Sequence, residues 1–105
     1  MFALVDLSRS EEQSPIDGSS ENPKIYPNPF DTSIRIELSL LKGQQLKCEI
    51  FDVTGKLIKT IYEGDAEGQQ LLIWDGKDNR KHQVAPGLYF CRVNQTITKI
   101  IYLKH

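Results

Sequence analysis

The chain has 105 residues and a mass of 12.0 kDa, which leaves room for one domain and little else. Apolar residues make up 39% and charged residues 26%, as in ordinary globular proteins, and no apolar run approaches the ~18 residues of a membrane-spanning helix. Residues 1–23 carry five acidic residues and one arginine, whereas residues 24–105 carry twelve basic and nine acidic residues. The basic residues are scattered among acids, which argues against nucleic-acid binding.

The first 23 residues have the texture of a linker. Residues 8–23 are rich in Ser, Glu, Pro, Asp and Gly, and such a segment cannot bury enough apolar surface to offset the entropy of ordering. The short apolar stretch 2–7 is a candidate for the last strand of a preceding domain. It lacks a basic n-region and Asp6 interrupts it early, so we do not expect a secretion signal there. An exported protein would carry its signal upstream, and this chain would be a fragment of it.

From residue 24 onward, short alternating segments are broken by turn residues every eight to twelve positions. In the first of the longer segments, Ile34, Ile36, Leu38 and Leu40 alternate with polar residues, a period of two that predicts a half-buried strand. The predicted strands are, in chain order, residues 24–26, 34–40, 46–50, 56–62, 69–74, 88–93 and 96–104.

Turn residues separate these segments. Asp52-Val53-Thr54-Gly55 predicts a hairpin turn, residues 63–68 a polar loop, and residues 75–81 a long turn. Pro27 and Pro29 cannot donate ladder hydrogen bonds, so their segment is expected at a sheet edge or crossover, with Phe30 closing one end of the core. About seven short strands with regular turns predict an all-β, immunoglobulin-like antiparallel sandwich.

Residues that could carry catalysis or bind a cofactor are few. His82 lies in the long turn and His105 ends the chain, and neither has a serine or cysteine at a motif spacing. Cys48 and Cys91 are unpaired with either histidine, as a zinc site would require. We therefore expect no enzyme, no cofactor, no metal site and no small-molecule substrate.

Three features leave alternatives open. Cys48 and Cys91 are both expected to point inward, where they would form either a disulfide or two small buried thiols. The oxygen-rich turn 75–79 invites a calcium interpretation, although Asp, Gly and Asn also suit a plain turn. Trp74 is either a carbohydrate-stacking platform or, more ordinarily, a core side chain.

Four motifs in register form a family pattern. They are Tyr26-Pro27-Asn28-Pro29-Phe30, then Ile50-Phe51-Asp52-Val53-Thr54-Gly55-Lys56, Trp74-Asp75-Gly76, and Pro86-Gly87-Leu88-Tyr89-Phe90. A lysine-flanked apolar strand, Lys99-Ile100-Ile101-Tyr102-Leu103-Lys104, ends the series. Together they resemble the C-terminal sorting domain, type A, of the type IX (Por) secretion system, and the related immunoglobulin-like domain of flagellar hook-capping proteins.

The resemblance implies a targeting function for residues 24–105. Such a domain follows a secreted cargo domain, is read by the outer-membrane translocon and is removed by a sortase-like peptidase, with cleavage near the linker. The protein would pass through the periplasm and end at the cell surface or outside the cell. Recognition would depend on the last two strands, and the residues expected to carry it are Gly87, Tyr89, Lys99, Ile100, Ile101, Tyr102, Leu103 and Lys104.

A strand-prone last segment would also offer free backbone groups for strand addition, so we expect residues 96–104 to form an exposed edge. Two other functions remain open at this point. An accessory binding module for carbohydrate or protein would show several exposed aromatic side chains on one face. An assembly module of the hook-cap type would lie inside a longer protein.

Overall fold

The computed structural model describes residues 22–103, and within them the chain is all-β. The five strands are β1 (Lys24–Tyr26), β2 (Ile34–Asp52), β3 (Leu57–Trp74), β4 (Gly87–Val93) and β5 (Thr96–Tyr102). None of the described residues forms a helix long and apolar enough to cross a membrane. The predicted all-β class is confirmed, whereas residues 1–21 of the expected linker 1–23, together with Lys104 and His105, lie outside the described residues.

The predicted count of seven strands is wrong because two pairs of segments are continuous. β2 runs through residues 41–45, and β3 runs through the predicted loop 63–68, so the two form one long antiparallel hairpin from Phe51↔Leu57 to Ile34↔Trp74. Residues 63–68 are polar but stay extended because the facing strand β2 satisfies their backbone groups, as the pairs Gln44↔Ala66 and Leu46↔Gly64 show. Each of the seven predicted segments nevertheless falls in a strand, except that Lys56 and Leu103 lie just outside β3 and β5.

The long hairpin belongs to both layers of the fold. β1 pairs with residues 35–37, near the start of β2. β4 pairs with Cys48–Asp52, at the end of β2, and β5 pairs in turn with β4. A register shift between Leu40 and Gln44 interrupts the ladder where the sheet curls. The curled sheet is consistent with the predicted immunoglobulin-like sandwich.

Alternate side chains of the strands fill the space between the two halves. In β2 the apolar side chains at even positions are buried and their neighbours are more exposed, which is the period of two that the sequence shows. The buried core residues are Phe30, Ile34, Ile36, Leu38, Leu40, Leu46, Cys48, Ile50, Trp74, Tyr89, Cys91, Val93, Ile100 and Tyr102.

Four aromatic rings join the two halves, and we call them the aromatic cluster: Phe30, Trp74, Tyr89 and Tyr102. Trp74 at the end of β3 lies 5.4 Å from Tyr89 and 6.2 Å from Tyr102, ring centre to ring centre. Phe30 stacks on Tyr102 at 4.9 Å. Because Trp74 is fully buried, with its Nε1 donating to the carbonyl of Lys77 at 2.9 Å, it is a core residue and offers no platform for a sugar.

Turn 75–86 packs directly against this cluster through Gly76. The residue is buried with φ of 78°, and its carbonyl accepts from Val84 N and from Gln83 Nε2. In the same turn the Asp78 carboxylate accepts from the amides of Arg80 and His82, both at 2.9 Å. The oxygen-rich side chains that invited a calcium interpretation thus hold the turn itself.

Gly76→Ala is expected to cost several kcal/mol of unfolding free energy. Its Cβ would lie 2.8 Å from Gln83 Nε2 and 2.9 Å from Tyr102 Cζ, so the overpacking of about 1–3 kcal/mol adds to the backbone strain. Gly55→Ala is the matched control, since Gly55 has φ of 88° and nothing within 4 Å of a Cβ. Denaturant unfolding of both variants measures the difference, and equal losses would contradict the close packing at Gly76.

Candidate functional site: the last two strands

The residues predicted for recognition fall into two groups on β4 and β5. Gly87, Lys99, Ile101 and Leu103 lie at the surface. Tyr89, Ile100 and Tyr102 are buried in the core, and Lys104 lies outside the described residues. Antiparallel pairing brings the two strands together over their whole length, from Gly87↔Tyr102 to Val93↔Thr96.

The buried group anchors the strand pair and cannot contact a partner while the domain is folded. Tyr89 and Tyr102 belong to the aromatic cluster, and the Tyr89 hydroxyl donates to the carbonyl of Ala85. Ile100 lies opposite Tyr89 and is fully buried. These side chains therefore fix the position of β5, and only the exposed positions are open to contact in the folded domain.

The outer edge of β5 is covered along half its length, which corrects the expectation of an exposed edge. The carbonyl of Lys99 accepts from Asn28 Nδ2 at 2.9 Å, and the Ile101 amide donates to Asn28 Oδ1 at 3.0 Å. Phe30 continues the pairing, because its amide donates to the Ile101 carbonyl at 2.9 Å and its carbonyl accepts from Leu103 at 2.7 Å. We call residues 28–30 the edge cover.

The edge cover explains the proline-rich motif at the start of the domain. Pro27 and Pro29 carry no amide hydrogen, so the Asn28 side chain and the Phe30 backbone supply the bonds that a regular strand would make. Phe30 itself is buried, as predicted. In an antiparallel strand the backbone groups of every second residue point to the same edge. The amide and carbonyl of Ile97 and the amide of Lys99 therefore lie on the part of the β5 edge that the edge cover does not reach.

The second family motif, residues 50–56, holds the hairpin turn beside β4. The Asp52 carboxylate accepts from the Thr54 hydroxyl at 2.6 Å, from the Thr54 amide at 2.9 Å and from the Lys56 amide at 3.1 Å. These bonds, the Thr54 hydroxyl foremost, lower the pKa of Asp52 below its usual range. The motif residues that carry the family resemblance are thus largely scaffold.

The outward face of β2, β4 and β5 carries a band of apolar side chains, which we call the outer strip: Phe51, Val53, Leu88, Phe90, Ile97 and Ile101. Leu88 faces Ile101 across the ladder, and Phe90 is flanked by Phe51 on one side and Lys99 on the other. Val53 is 64% and Ile97 62% exposed. This surface was not singled out from the sequence, because it depends on the register of three strands that are not all neighbours in sequence.

Part of the outer strip lines a groove of about 390 Å³ next to the hairpin turn. Phe51 and Phe90 lie in it, Val53 and Gly55 stand on the turn side, and Arg92 and Ile97 line it as well. The described residues also form polar grooves elsewhere, such as one lined by Gln44, Asn94 and Gln95.

Cys48 and Cys91 lie side by side in the core as free thiols, with the sulfur atoms 4.0 Å apart. Cys48 faces Val93 and Cys91 faces Ile50, so the two cysteines are diagonal neighbours across β2 and β4. The hydrogen bond with Cys91 and burial raise the pKa of the Cys48 thiol, which keeps it protonated in the folded domain.

Asn28→Ala is expected to open the edge of β5. The variant loses two side-chain hydrogen bonds and should cost about 1–2 kcal/mol of unfolding free energy. Hydrogen exchange of the Ile101 amide should accelerate, whereas the Leu103 amide, bonded to Phe30, should keep its protection. Thr32→Ala, at an exposed position, is the control and should change stability by less than about 0.5 kcal/mol. Unchanged exchange at Ile101 would contradict the edge cover.

Comparison with known proteins identifies the domain. The model of the family described as "Secretion system C-terminal sorting domain" matches residues 24–103. Among solved structures, the crystal structure of dimeric latent PorU from Porphyromonas gingivalis is similar, with a TM-score of 0.65 and 19% identity, over 94% of this chain and 10% of that chain. No curated protein matches. The chain therefore belongs to the family of secretion system C-terminal sorting domains, the sorting signals of type IX secretion.

Proposed function

We propose that residues 24–105 act as a non-catalytic, folded export signal that the outer-membrane translocon reads from the periplasm. The observation that carries this proposal is the family match over residues 24–103, which spans every described strand. A sorting signal of type IX secretion directs export to the cell surface or the extracellular space. The cargo domain would precede this domain in the whole protein.

The arrangement of the last strands supports recognition of a folded surface. β5 is paired with β4 on one side and held by the edge cover on the other, and its inward side chains Ile100 and Tyr102 are buried. A partner therefore meets a fixed set of outward side chains, with Lys99 and Ile101 among them. Such a preorganised surface costs little entropy on binding.

The second proposed partner is the sortase-like peptidase, with cleavage near the linker before Lys24. Residues 1–23 would form that linker, because their composition disfavours a packed core. The accessory carbohydrate-binding alternative loses its main support, since Trp74 is buried. That the domain has no catalytic activity is part of the proposal, and the burial of both thiol groups is in keeping with it.

A Cys48–Cys91 disulfide remains a proposal for the exported form. Oxidation by a protein disulfide would join the two sulfurs, transfer two electrons to that disulfide and release the two thiol protons. The sulfurs would have to close from 4.0 Å to about 2.05 Å. We expect the domain recovered from an oxidising periplasm and unfolded in alkylating reagent to take up no label on either cysteine. Two labels per chain, as expected for a sample reduced beforehand, would refute the bond.

Deleting residues 99–105 is expected to abolish export. The deletion removes the partners of Asn28 and Phe30 and half of β5, so the signal surface cannot form. The measurement uses residues 8–105 behind a signal peptide and a fluorescent cargo, expressed in a bacterium with a type IX system. Cargo should appear outside the cells with the full domain and stay inside with the deletion.

The same fusion in a translocon-null strain is the control, and its cargo should be trapped in the periplasm. Normal secretion of the deletion, or equal retention of the full domain in both strains, would refute the sorting function.

A further inference from the structure

We propose that the outer strip is the surface through which the sorting domain binds its export partner, and that the partner presents an extended protein segment with apolar side chains and carboxylates. This inference rests on the proposed function and adds the place and the chemistry of recognition. It also replaces the exposed strand edge as the binding feature, because the edge cover occupies much of that edge.

The first argument is that apolar side chains are exposed on a surface that the folded strands hold in place. Four of the six side chains of the outer strip are exposed by 36% or more, namely Val53, Leu88, Ile97 and Ile101. Leu88 and Ile101 are ladder partners, Ile97 lies on the same face of β5, and Val53 stands in the hairpin turn next to β2. Phe51 and Phe90, which pair across β2 and β4, lie between them, so the six side chains form one surface. Contiguous exposed apolar surface on a small domain marks an interaction site.

The second argument is charge. On the strands of this face the exposed charges flanking the strip are cationic, namely Arg92 opposite Ile97 and Lys99 opposite Phe90. Arg92 faces Glu49 across the β2–β4 ladder and its Nε donates to the carbonyl of Asn94 at 3.0 Å. Glu49 itself is 8% exposed and lies 3.8 Å from Lys47, and the Asp52 carboxylate is bonded within its own turn. A partner that buries the strip therefore gains most by placing a carboxylate near Lys99.

The third argument concerns shape. The groove between the hairpin turn and the β4–β5 pair is lined by Phe51, Phe90 and Ile97, with Val53 on its turn side. Its volume of about 390 Å³ suits a few side chains of a chain segment, whereas a planar lipid surface would rest on the rims. The groove thus favours a protein segment over a membrane as the occupant.

The opposite outer face supplies matched controls. Leu71 and Ile73 lie on the outward side of β3, each 52% exposed, and face Glu37 and Arg35 across the ladder. They have the same kind of side chain in the same secondary structure as Ile97. A glutamate at these positions tests whether any charged substitution on an exposed strand disturbs export.

The test is secretion of the fluorescent fusion with six variants. Ile97→Glu and Lys99→Glu should lower the extracellular cargo at least tenfold, whereas Leu71→Glu and Ile73→Glu should stay within twofold of the wild type. Lys99→Gln should lose less than Lys99→Glu, because it removes a charge without reversing it. Ile97→Val should export normally. Denaturant unfolding of each purified domain shows that the exposed substitutions leave it folded.

Each contrary outcome has its own meaning. Wild-type export together with normal export of Ile97→Glu and Lys99→Glu would overturn the outer strip and leave the sorting function standing. Failure of the wild type itself would overturn both. Binding of the purified wild type to phosphatidylglycerol vesicles, lost in Lys99→Glu, would reassign the face to a lipid surface. A wild-type dimer in sedimentation that Ile97→Glu converts to monomer would reassign it to a second copy.

Discussion

The aromatic cluster is the contact on which the rest of the domain depends. Phe30, Trp74, Tyr89 and Tyr102 come from four parts of the chain, and their contact presses the two halves of one curled sheet together. Each ring buries a large apolar area and has preferred tilted or stacked geometry. Because this contact fixes the position of β5 against the core, the edge cover lies within hydrogen-bond distance of the β5 backbone.

Local patterns in the sequence predicted much of the fold. The alternation of Ile34, Ile36, Leu38 and Leu40 gave the inward face of β2 correctly, and the Asp52–Gly55 turn holds as expected for its residues. Residues 63–68 were expected to be a loop because they are polar and carry two glycines. They are strand because residues 41–47 face them across the hairpin, and such pairing is a long-range property that local composition does not encode.

The candidate site was predicted less completely, and the reason is again long-range. The two strands were predicted, but the prediction took residues 99–104 together and did not separate inward from outward side chains. The bonds between Asn28 and β5 join positions far apart in the chain. A proline-rich stretch signals an edge but does not say which strand it covers. The family motifs therefore build the scaffold, and less distinctive side chains form its surface.

The pairing of Phe30 with Tyr102 has a consequence for when the signal exists at all. The edge cover lies near the start of the domain and pairs with its last strand, so the domain closes only after nearly its whole length has been synthesised. A chain cut before β5 would lack the ring contact of Phe30 with Tyr102 and the backbone bonds of Phe30 to Ile101 and Leu103. The folded surface of this domain therefore exists only in a chain that has been synthesised through β5.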